Sequence, residues 1–285
     1  MTSKAPAFVG GMFKSGTSLL RAMLGQHRNI ASGLETYWFE MDIAAGKGRG
    51  GEPLEDHLAR LAAYYHVDLD QVRAMTRDNP DSETFLDRFM TAAARAQGKP
   101  RWLEKTPGNI AQADRIVRRW PQARIVHIVR DPRDIYGSLR EAKKWDVPEA
   151  FASRWCVMFA GEAAGLKSGA LNARSYLAVR YEQLVADAET VMRRVLSFLD
   201  EPWDPAAAQF SGRDDEYNIV LKETGKSSTT LARMRQPISE SRVGLWRDVP
   251  PAELEAVRAY AHSQGLGARY DAIVAESGTL AAAAQ

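Results

Sequence analysis

A glycine-rich turn near the N-terminus connects a short apolar segment to a helical pattern. Residues 7–9 are apolar and fit a buried strand, and the leucines and methionine of residues 19–24 recur at helical spacing. The turn between them, residues 10–18, reads Gly-Gly-Met-Phe-Lys-Ser-Gly-Thr-Ser. Backbone N–H groups of residues 15–18 would point into this turn, where the positive end of the helix dipole favours a phosphate or sulfate. The order of strand, glycine-rich turn and helix predicts an α/β fold with an anion site at its first turn.

The turn resembles a P-loop but lacks the lysine of that loop. A nucleotide-hydrolysing P-loop reads G-x-x-x-x-G-K-[ST], whereas here Thr17 stands in the lysine position and Lys14 comes three residues earlier. Phosphoryl transfer from ATP normally needs that lysine and a magnesium ion. Sulfuryl transfer is less demanding, because the moving group carries a single negative charge. The missing lysine therefore argues against an ATP-dependent kinase.

A second apolar strand ends in a charged turn. Residues 123–129 form a nearly continuous apolar run, which is typical of a parallel strand buried on both faces. Arg130-Asp131-Pro132 follows, and a proline there suits the first turn of a helix. One alternative is that Arg130 only forms a salt bridge with a nearby carboxylate at the strand end. The presence of the glycine-rich turn near the N-terminus favours a binding role instead. Ligands of open α/β sheets bind where such loops leave the carboxyl ends of the strands.

Together these segments resemble the sulfotransferases that use 3′-phosphoadenosine 5′-phosphosulfate (PAPS), especially the branch acting on protein tyrosine and glycans. The resemblance implies a P-loop NTPase-like, three-layer α/β/α fold with a central parallel sheet, to which the helical pattern described below adds an insert. It implies that the first turn binds the 5′-phosphosulfate and that Arg130 and Ser138 bind the 3′-phosphate. Residues 101–107, 176–185 and 242–247 extend the likeness in the same order. The implied cofactor is PAPS, which would leave as 3′-phosphoadenosine 5′-phosphate (PAP).

The resemblance also implies individual roles. Glu35 stands where this branch has its glutamate general base. Such a carboxylate can take the proton of the acceptor hydroxyl when it lies within hydrogen-bond range. Lys14 would stabilise the charge that develops on the leaving oxygen, although most of the branch has arginine there. Lys105 would act on the sulfuryl oxygens. A solvated loop carboxylate and surface lysines are the plainer alternatives. The implied cofactor ligands are Lys14, Ser15, Gly16, Thr17, Ser18, Arg130, Ser138, Tyr181 and Ser228.

Composition limits the other classes of function. The formal net charge of +2 does not favour nucleic acid as a partner. The single cysteine excludes an internal disulfide and a multi-cysteine metal site, and the five histidines lack metal-binding spacing. No apolar run reaches the roughly 18 residues of a membrane span, and the first residues do not resemble a signal peptide. We therefore expect no metal and a cytoplasmic location.

The chain is predicted to form one sulfotransferase domain over residues 1–285. A helical pattern over about 52–97 is interpreted as an insert, which either caps the acceptor pocket or only thickens the fold. A polar segment over about 206–247 is expected to cover the nucleotide, with Lys226, Ser227, Ser228 and Arg233 as candidate ligands. Helices are expected over 148–167 and 251–262, and a frayed tail over 279–285.

The predicted function is metal-independent, in-line transfer of a sulfuryl group from PAPS to an acceptor hydroxyl, with Glu35 as general base. Two alternatives stay open at this point: an ATP-dependent kinase, and a non-catalytic protein that binds PAPS or PAP and regulates a partner. A protein tyrosine, a glycan, a lipid headgroup and a small molecule all remain possible acceptors. The sequence does not indicate the oligomeric state.

Overall fold

A parallel sheet of five strands forms the centre of the molecule. The computed structural model describes residues 4–144, 147–210, 212, 218–220, 222, 232–233 and 235–283. The strands lie in the order β2-β3-β1-β4-β5, and every neighbouring pair is parallel. Their bounds are β1 Ala7–Gly10, β2 Ile30–Ser32, β3 Arg101–Lys105, β4 Arg124–Val129 and β5 Tyr176–Arg180.

Helices cover both faces of this sheet. Phe8 and Ile125 point to one face and pack with helices α2 to α5, whereas Val9 and Val126 point to the other and pack with α1, α8 and α9. The predicted α/β fold with a central parallel sheet is confirmed. The helices are α1 Thr17–Gly25, α2 Leu54–Tyr65, α3 Leu69–Ala74, α4 Ser82–Ala96, α5 Ala113–Arg119, α6 Pro132–Glu141, α7 Pro148–Ser168, α8 Tyr181–Ala186, α9 Ala188–Phe198, α10 Pro251–Ser263 and α11 Gly267–Ala283.

The register of the sheet brings three strand ends together. Val9 of β1 is paired with Lys105 of β3 on one side and with Val126 of β4 on the other. The turns that follow β1, β3 and β4 therefore leave the same edge of the sheet. This edge is where open parallel sheets bind their ligands.

Residues 52–97 hold three helices, α2, α3 and α4. Their apolar side chains join the core cluster that contains Phe8 of the sheet. Tyr65 of α2 and Phe89 of α4, for example, meet edge to face with ring centroids 4.9 Å apart. The assignment of residues 1–285 to a single domain stays a prediction.

The C-terminal region differs from the expected frayed tail. Helix α10 forms as expected, but the chain then continues as α11 through Ala283. Tyr270 and Ile273 lie three residues apart on α11 and are buried beside α6 and α7. The expectation of a frayed end from residue 279 was wrong up to residue 283, because contacts near the start of α11 hold the helix to the core. Within the described chain, every helix is too short or too polar to cross a membrane.

Candidate active site

The turn between β1 and α1 ends at Gly16, a position where a residue with a side chain would be strained. Gly16 precedes α1 with a φ of 100°, and a Cβ there would lie 2.5 Å from the Tyr181 ring. The N–H and hydroxyl of Ser15 both donate to the carbonyl oxygen of Met12, at 3.1 and 2.6 Å. Ser15 was predicted to bind the anion directly, but in this structure both of its donors are used in hydrogen bonds within the loop. Its role as a direct cofactor ligand stays a prediction.

A cleft of about 330 Å³ opens beside this loop. The loop lines one wall, Arg130 after β4 and Ser138 in α6 line another, and residues between 236 and 242 close a third side. The turns of two separate strands thus meet at one cavity, as the sequence predicts. The lining includes the predicted cofactor residues Lys14, Gly16, Thr17, Ser18, Arg130, Ser138 and Tyr181.

Arg130 joins three parts of the cleft. Its guanidinium donates to the carbonyl oxygen of Lys14 at 2.7 Å and to that of Arg242, and it lies 4.5 Å from the centre of the Tyr181 ring. The oxygen of Asp134 is 3.9 Å away, too far for a hydrogen bond. The buried Nε has no acceptor among the described residues, so a donor remains for an anionic ligand. Arg130 therefore forms the strand-end ion pair with Asp134 and, in addition, these cleft contacts.

Arg242 was not predicted as a cleft residue. Its guanidinium lies 3.3 Å from the hydroxyl oxygen of Ser138 and 2.5 Å from a carboxylate oxygen of Glu141. Arg233, a candidate ligand in the sequence analysis, lies 3.4 Å from the same carboxylate and also lines the cleft. The signal that could have identified Arg242 was its place in the segment 242–247. The structure therefore brings two further cations to the predicted 3′-phosphate position.

The pKa of Lys14 is lowered by burial and by the surrounding positive charge. Burial and the neighbouring cations Arg233, Lys144, Arg242 and Arg130 lower the pKa of the Lys14 ammonium to about 8. A bound anion would oppose this effect. The cleft is thus electrostatically suited to a polyanionic ligand such as a nucleotide with two phosphate groups.

Glu35, Lys105 and Ser18 form a second cluster at the edge of the cleft. The Lys105 ammonium donates to Oε1 of Glu35 at 2.5 Å and to the hydroxyl of Ser18 at 3.2 Å. Burial favours the neutral carboxyl, but the charge and hydrogen bond of Lys105 outweigh it and lower the pKa of Glu35. About a quarter of the Glu35 side chain is exposed (26 %). Glu35 is therefore an ionised, accessible carboxylate next to the anion-binding loop.

Tyr37 also contacts this carboxylate. Its hydroxyl donates to Oε2 of Glu35, and the guanidinium of Arg49 lies 3.6 Å from the centre of its ring. The contact of Tyr37 with Glu35 was not predicted. The αL conformation of Tyr37, with a φ of 50°, gave no sequence signal because it is not a glycine or asparagine.

The remaining predicted residues fall outside this geometry. Ser228, with Lys226 and Ser227, lies outside the described residues. His127 and Cys156 are both buried. No group of three His, Cys, Asp or Glu side chains suited to a metal occurs in the described ranges.

Comparison with known proteins identifies the family. The model of the sulfotransferase family matches residues 6–205, more than half of the chain. The chain belongs to the sulfotransferase family. The resemblance of the loop and strand-end motifs to this family is thereby confirmed.

The relatives include animal sulfotransferases. The chain is 24 % identical to a protein-tyrosine sulfotransferase of Drosophila melanogaster over 263 residues, which cover 87 % of this chain and 48 % of that protein. It is 25 % identical to protein-tyrosine sulfotransferase A of Caenorhabditis elegans over 269 residues, which cover 87 % and 63 %. The chain thus matches about half to two thirds of the length of these relatives.

Two solved structures share the fold over most of their length. The sulfotransferase domain of the olefin synthase of Synechococcus PCC 7002 is 20 % identical, with a TM-score of 0.63 over 92 % of this chain and 96 % of that domain. The sulfotransferase domain from the curacin biosynthetic pathway is 17 % identical, with a TM-score of 0.67 over 92 % and 97 %. Both comparisons show the same overall architecture.

Proposed function

We propose that this protein transfers a sulfuryl group from PAPS to a hydroxyl group of an acceptor, with Glu35 as general base. The main support for this proposal is the position of Lys105. Its ammonium contacts both Ser18, in the anion-binding loop, and Glu35, so the candidate base lies beside the place where the loop would bind phosphosulfate. Membership of the sulfotransferase family supports the same chemistry.

The cleft fits the two anionic ends of PAPS. Residues 14–18 would bind the 5′-phosphosulfate through backbone N–H groups and the α1 dipole. Arg130 and Ser138, with Arg242, would bind the 3′-phosphate, and Tyr181 would contact the adenine. The unsatisfied Nε of buried Arg130 supports this fit, because a buried donor without a partner is costly.

The residues at the edge of the cleft would perform the transfer. The acceptor oxygen forms a bond to sulfur while the bond from sulfur to the phosphate oxygen breaks, and the hydroxyl proton passes to Glu35. Lys105 would stabilise charge on the sulfuryl oxygens, and Lys14 would stabilise charge on the departing phosphate oxygen. Each of these groups is an expected participant from the resemblance.

The alternatives are less well supported. Thr17 stands where an ATP-dependent kinase needs its lysine. A non-catalytic PAPS- or PAP-binding protein would not need an ionised carboxylate held on Lys105 at the edge of the cleft. The names of the animal relatives suggest a phenolic hydroxyl, as in protein tyrosine, as one acceptor class to test.

The test is calorimetric titration with PAP without metal, and with ATP and Mg²⁺, on the wild type, Arg130→Ala and Arg124→Ala. Arg124 begins β4, the strand that Arg130 follows, and donates to the Phe198 carbonyl at the opposite end, so it controls for the loss of an arginine. We expect metal-independent PAP binding that only Arg130→Ala abolishes. A preference for Mg²⁺-ATP would overturn the proposal in favour of a kinase.

Turnover is then measured as PAP release from PAPS with phenols and aliphatic alcohols as acceptors. Acceptor-dependent release that Glu35→Gln abolishes would support the enzyme. Tight PAP binding with no release for any acceptor class would favour the non-catalytic alternative.

A further inference from the structure

A fully buried carboxyl group is hydrogen-bonded to the residue that follows the proposed base. Glu104 precedes Lys105 in β3, and none of its surface is exposed. Its Oε1 accepts hydrogen bonds from the hydroxyl of Thr36 at 2.8 Å, the N–H of Thr36 at 3.3 Å and the hydroxyl of Thr106 at 2.7 Å. Its Oε2 accepts from the Asn109 amide at 2.5 Å. Every one of these donors is a neutral group.

These bonds hold the segment that follows Glu35. Thr36 is bound to Glu104 by both its backbone and its side chain. The next residue, Tyr37, donates its N–H to the Thr106 hydroxyl at 3.2 Å. Trp38 donates its indole N–H to the Asn109 carbonyl oxygen at 3.1 Å, so it is linked to Glu104 through Asn109. The residues after the proposed base therefore converge on one carboxylate.

We propose that Glu104 is the positioning residue for the general base, acting through Thr36 to hold the Glu35 carboxylate against Lys105. The inference rests on the proposed role of Glu35. Glu104 and Lys105 are consecutive in one strand, so the anchor of the base and its cationic partner are fixed relative to each other by the same backbone. A shift of the loop relative to β3 would separate Glu35 from Lys105.

A merely space-filling role would not need a carboxylate here. Burying an ionised group is costly unless hydrogen bonds compensate for the lost water. Burial raises the pKa of Glu104 above its ordinary value, and the hydrogen bonds from Asn109, Thr106 and Thr36 offset only part of this effect. An apolar side chain would fill the same volume without this cost, but it could not orient the loop.

Glu104→Gln in the full-length protein tests the inference. Glutamine has only one acceptor oxygen, so its NH₂ must face either the Thr36 and Thr106 donors or the Asn109 amide. We expect kcat to fall by about ten-fold or more, because a displaced base loses proton-transfer efficiency. PAP affinity should stay within about two-fold of the wild type, since Glu104 does not line the cleft.

The decisive readout is the pKa of Glu35, measured by carboxyl ¹³C NMR and by the acidic limb of the kcat–pH profile. Loss of the Lys105 contact should raise it, since Lys105 and the nearby Tyr37 and Arg49 lower it in the wild type. A variant that melts at lower temperature but keeps kcat and the Glu35 pKa would show that Glu104 is only structural. That result would overturn the inference.

Thr36→Val and Thr36→Ser provide a matched pair if Glu104→Gln fails to fold. Valine removes the hydroxyl that donates to Glu104 at nearly equal volume, and serine keeps it. We expect Thr36→Val to lower kcat and raise the pKa of Glu35, and Thr36→Ser to retain wild-type values. Equal values for both variants would overturn the inference. Wild-type turnover in Glu35→Gln would instead overturn the proposed function, while the NMR measurement still tests the positioning.

Discussion

The ammonium of Lys105 lies 2.5 Å from Oε1 of Glu35. This ion pair connects the end of a central strand with the segment after β2, and only 3 % of the Lys105 side chain is exposed. The same ammonium reaches Ser18 in the loop after β1. One buried cation is therefore shared between the candidate base and the anion-binding loop, which explains why Glu35 is ionised so close to a predicted sulfate site.

Removal of the base should abolish turnover but not nucleotide binding. We expect Glu35→Gln to lower kcat by about 10²- to 10⁴-fold, the usual contribution of general base catalysis. The Kd for PAP should change by less than about two-fold, because Glu35 lies outside the residues that line the cleft. Glu40→Gln is the control, since that carboxylate accepts from Gly50 and is exposed. A similar loss of kcat in both variants would contradict the assignment.

The acidic limb of the kcat–pH profile should report on Lys105. A general base must be ionised, so kcat falls as the pH drops through its pKa. Because Lys105 lowers the pKa of Glu35, the wild-type limb should lie below the ordinary glutamate value of 4.5. In Lys105→Gln the charge is gone and burial raises the pKa, so the limb should move to higher pH. An unchanged acidic limb in Lys105→Gln would show that a group other than Glu35 titrates there.

Much of the fold could be predicted because its signals are local. The apolar runs that became β1 and β4 end in turns rich in glycine, proline and charge, and the structure has strands and turns at those places. Strand β2 was not predicted as a separate element. It has only three residues and depends on pairing with β3, from Arg101 onwards, rather than on a pattern of its own. Helix α11 is rich in alanine and glycine, so it lacks a clear apolar stripe.

The candidate site likewise contains residues that could be predicted from local motifs and residues that could not. Lys14, Arg130 and Ser138 belong to motifs with fixed spacing, and the structure brings them to one cleft. The roles of Arg242 and Glu104 arise from contacts with residues that are about 70 to 100 positions away in the chain. A motif in one segment carries no information about such contacts, because they depend on how separate strands and loops pack together.

Nucleotide affinity should depend on pH through Lys14. Its ammonium has a pKa of about 8 in the free protein, and a bound anion would raise that pKa. Binding should therefore take up a proton near pH 8, and the Kd for PAP should rise as the pH increases above this value. Calorimetry in two buffers with different ionisation enthalpies measures the proton uptake directly.

Lys14→Arg is the matched control for this pH effect. A guanidinium keeps its charge over the whole range, so PAP binding by this variant should show no proton uptake near pH 8. The same pH dependence in the variant and the wild type would assign the titration to another group. No pH dependence in the wild type would place the Lys14 ammonium outside the phosphate site.

Gly16→Ala should weaken nucleotide binding more than an ordinary glycine substitution. Two effects combine at this position: the φ of 100° is unfavourable for alanine, and the new Cβ would lie 2.5 Å from the Tyr181 ring and 3.1 Å from the Ile128 side chain. Backbone strain of this kind costs about 1–3 kcal/mol. The collision should in addition displace Tyr181 from Arg130, whose guanidinium lies 4.5 Å from the ring centre.

Gly98→Ala is the control for replacing a positive-φ glycine outside the cleft. Gly98 has a φ of 65°, and no atom of the described residues lies within 4 Å of the position of its Cβ. We expect Gly98→Ala to lower the free energy of unfolding by about 1 kcal/mol and to leave the Kd for PAP unchanged. Gly16→Ala should raise that Kd by about ten-fold or more, which corresponds to a loss of about 1.4 kcal/mol of binding energy. Equal PAP affinity in the two variants would show that neither the conformation of Gly16 nor its close packing with Tyr181 is needed for binding.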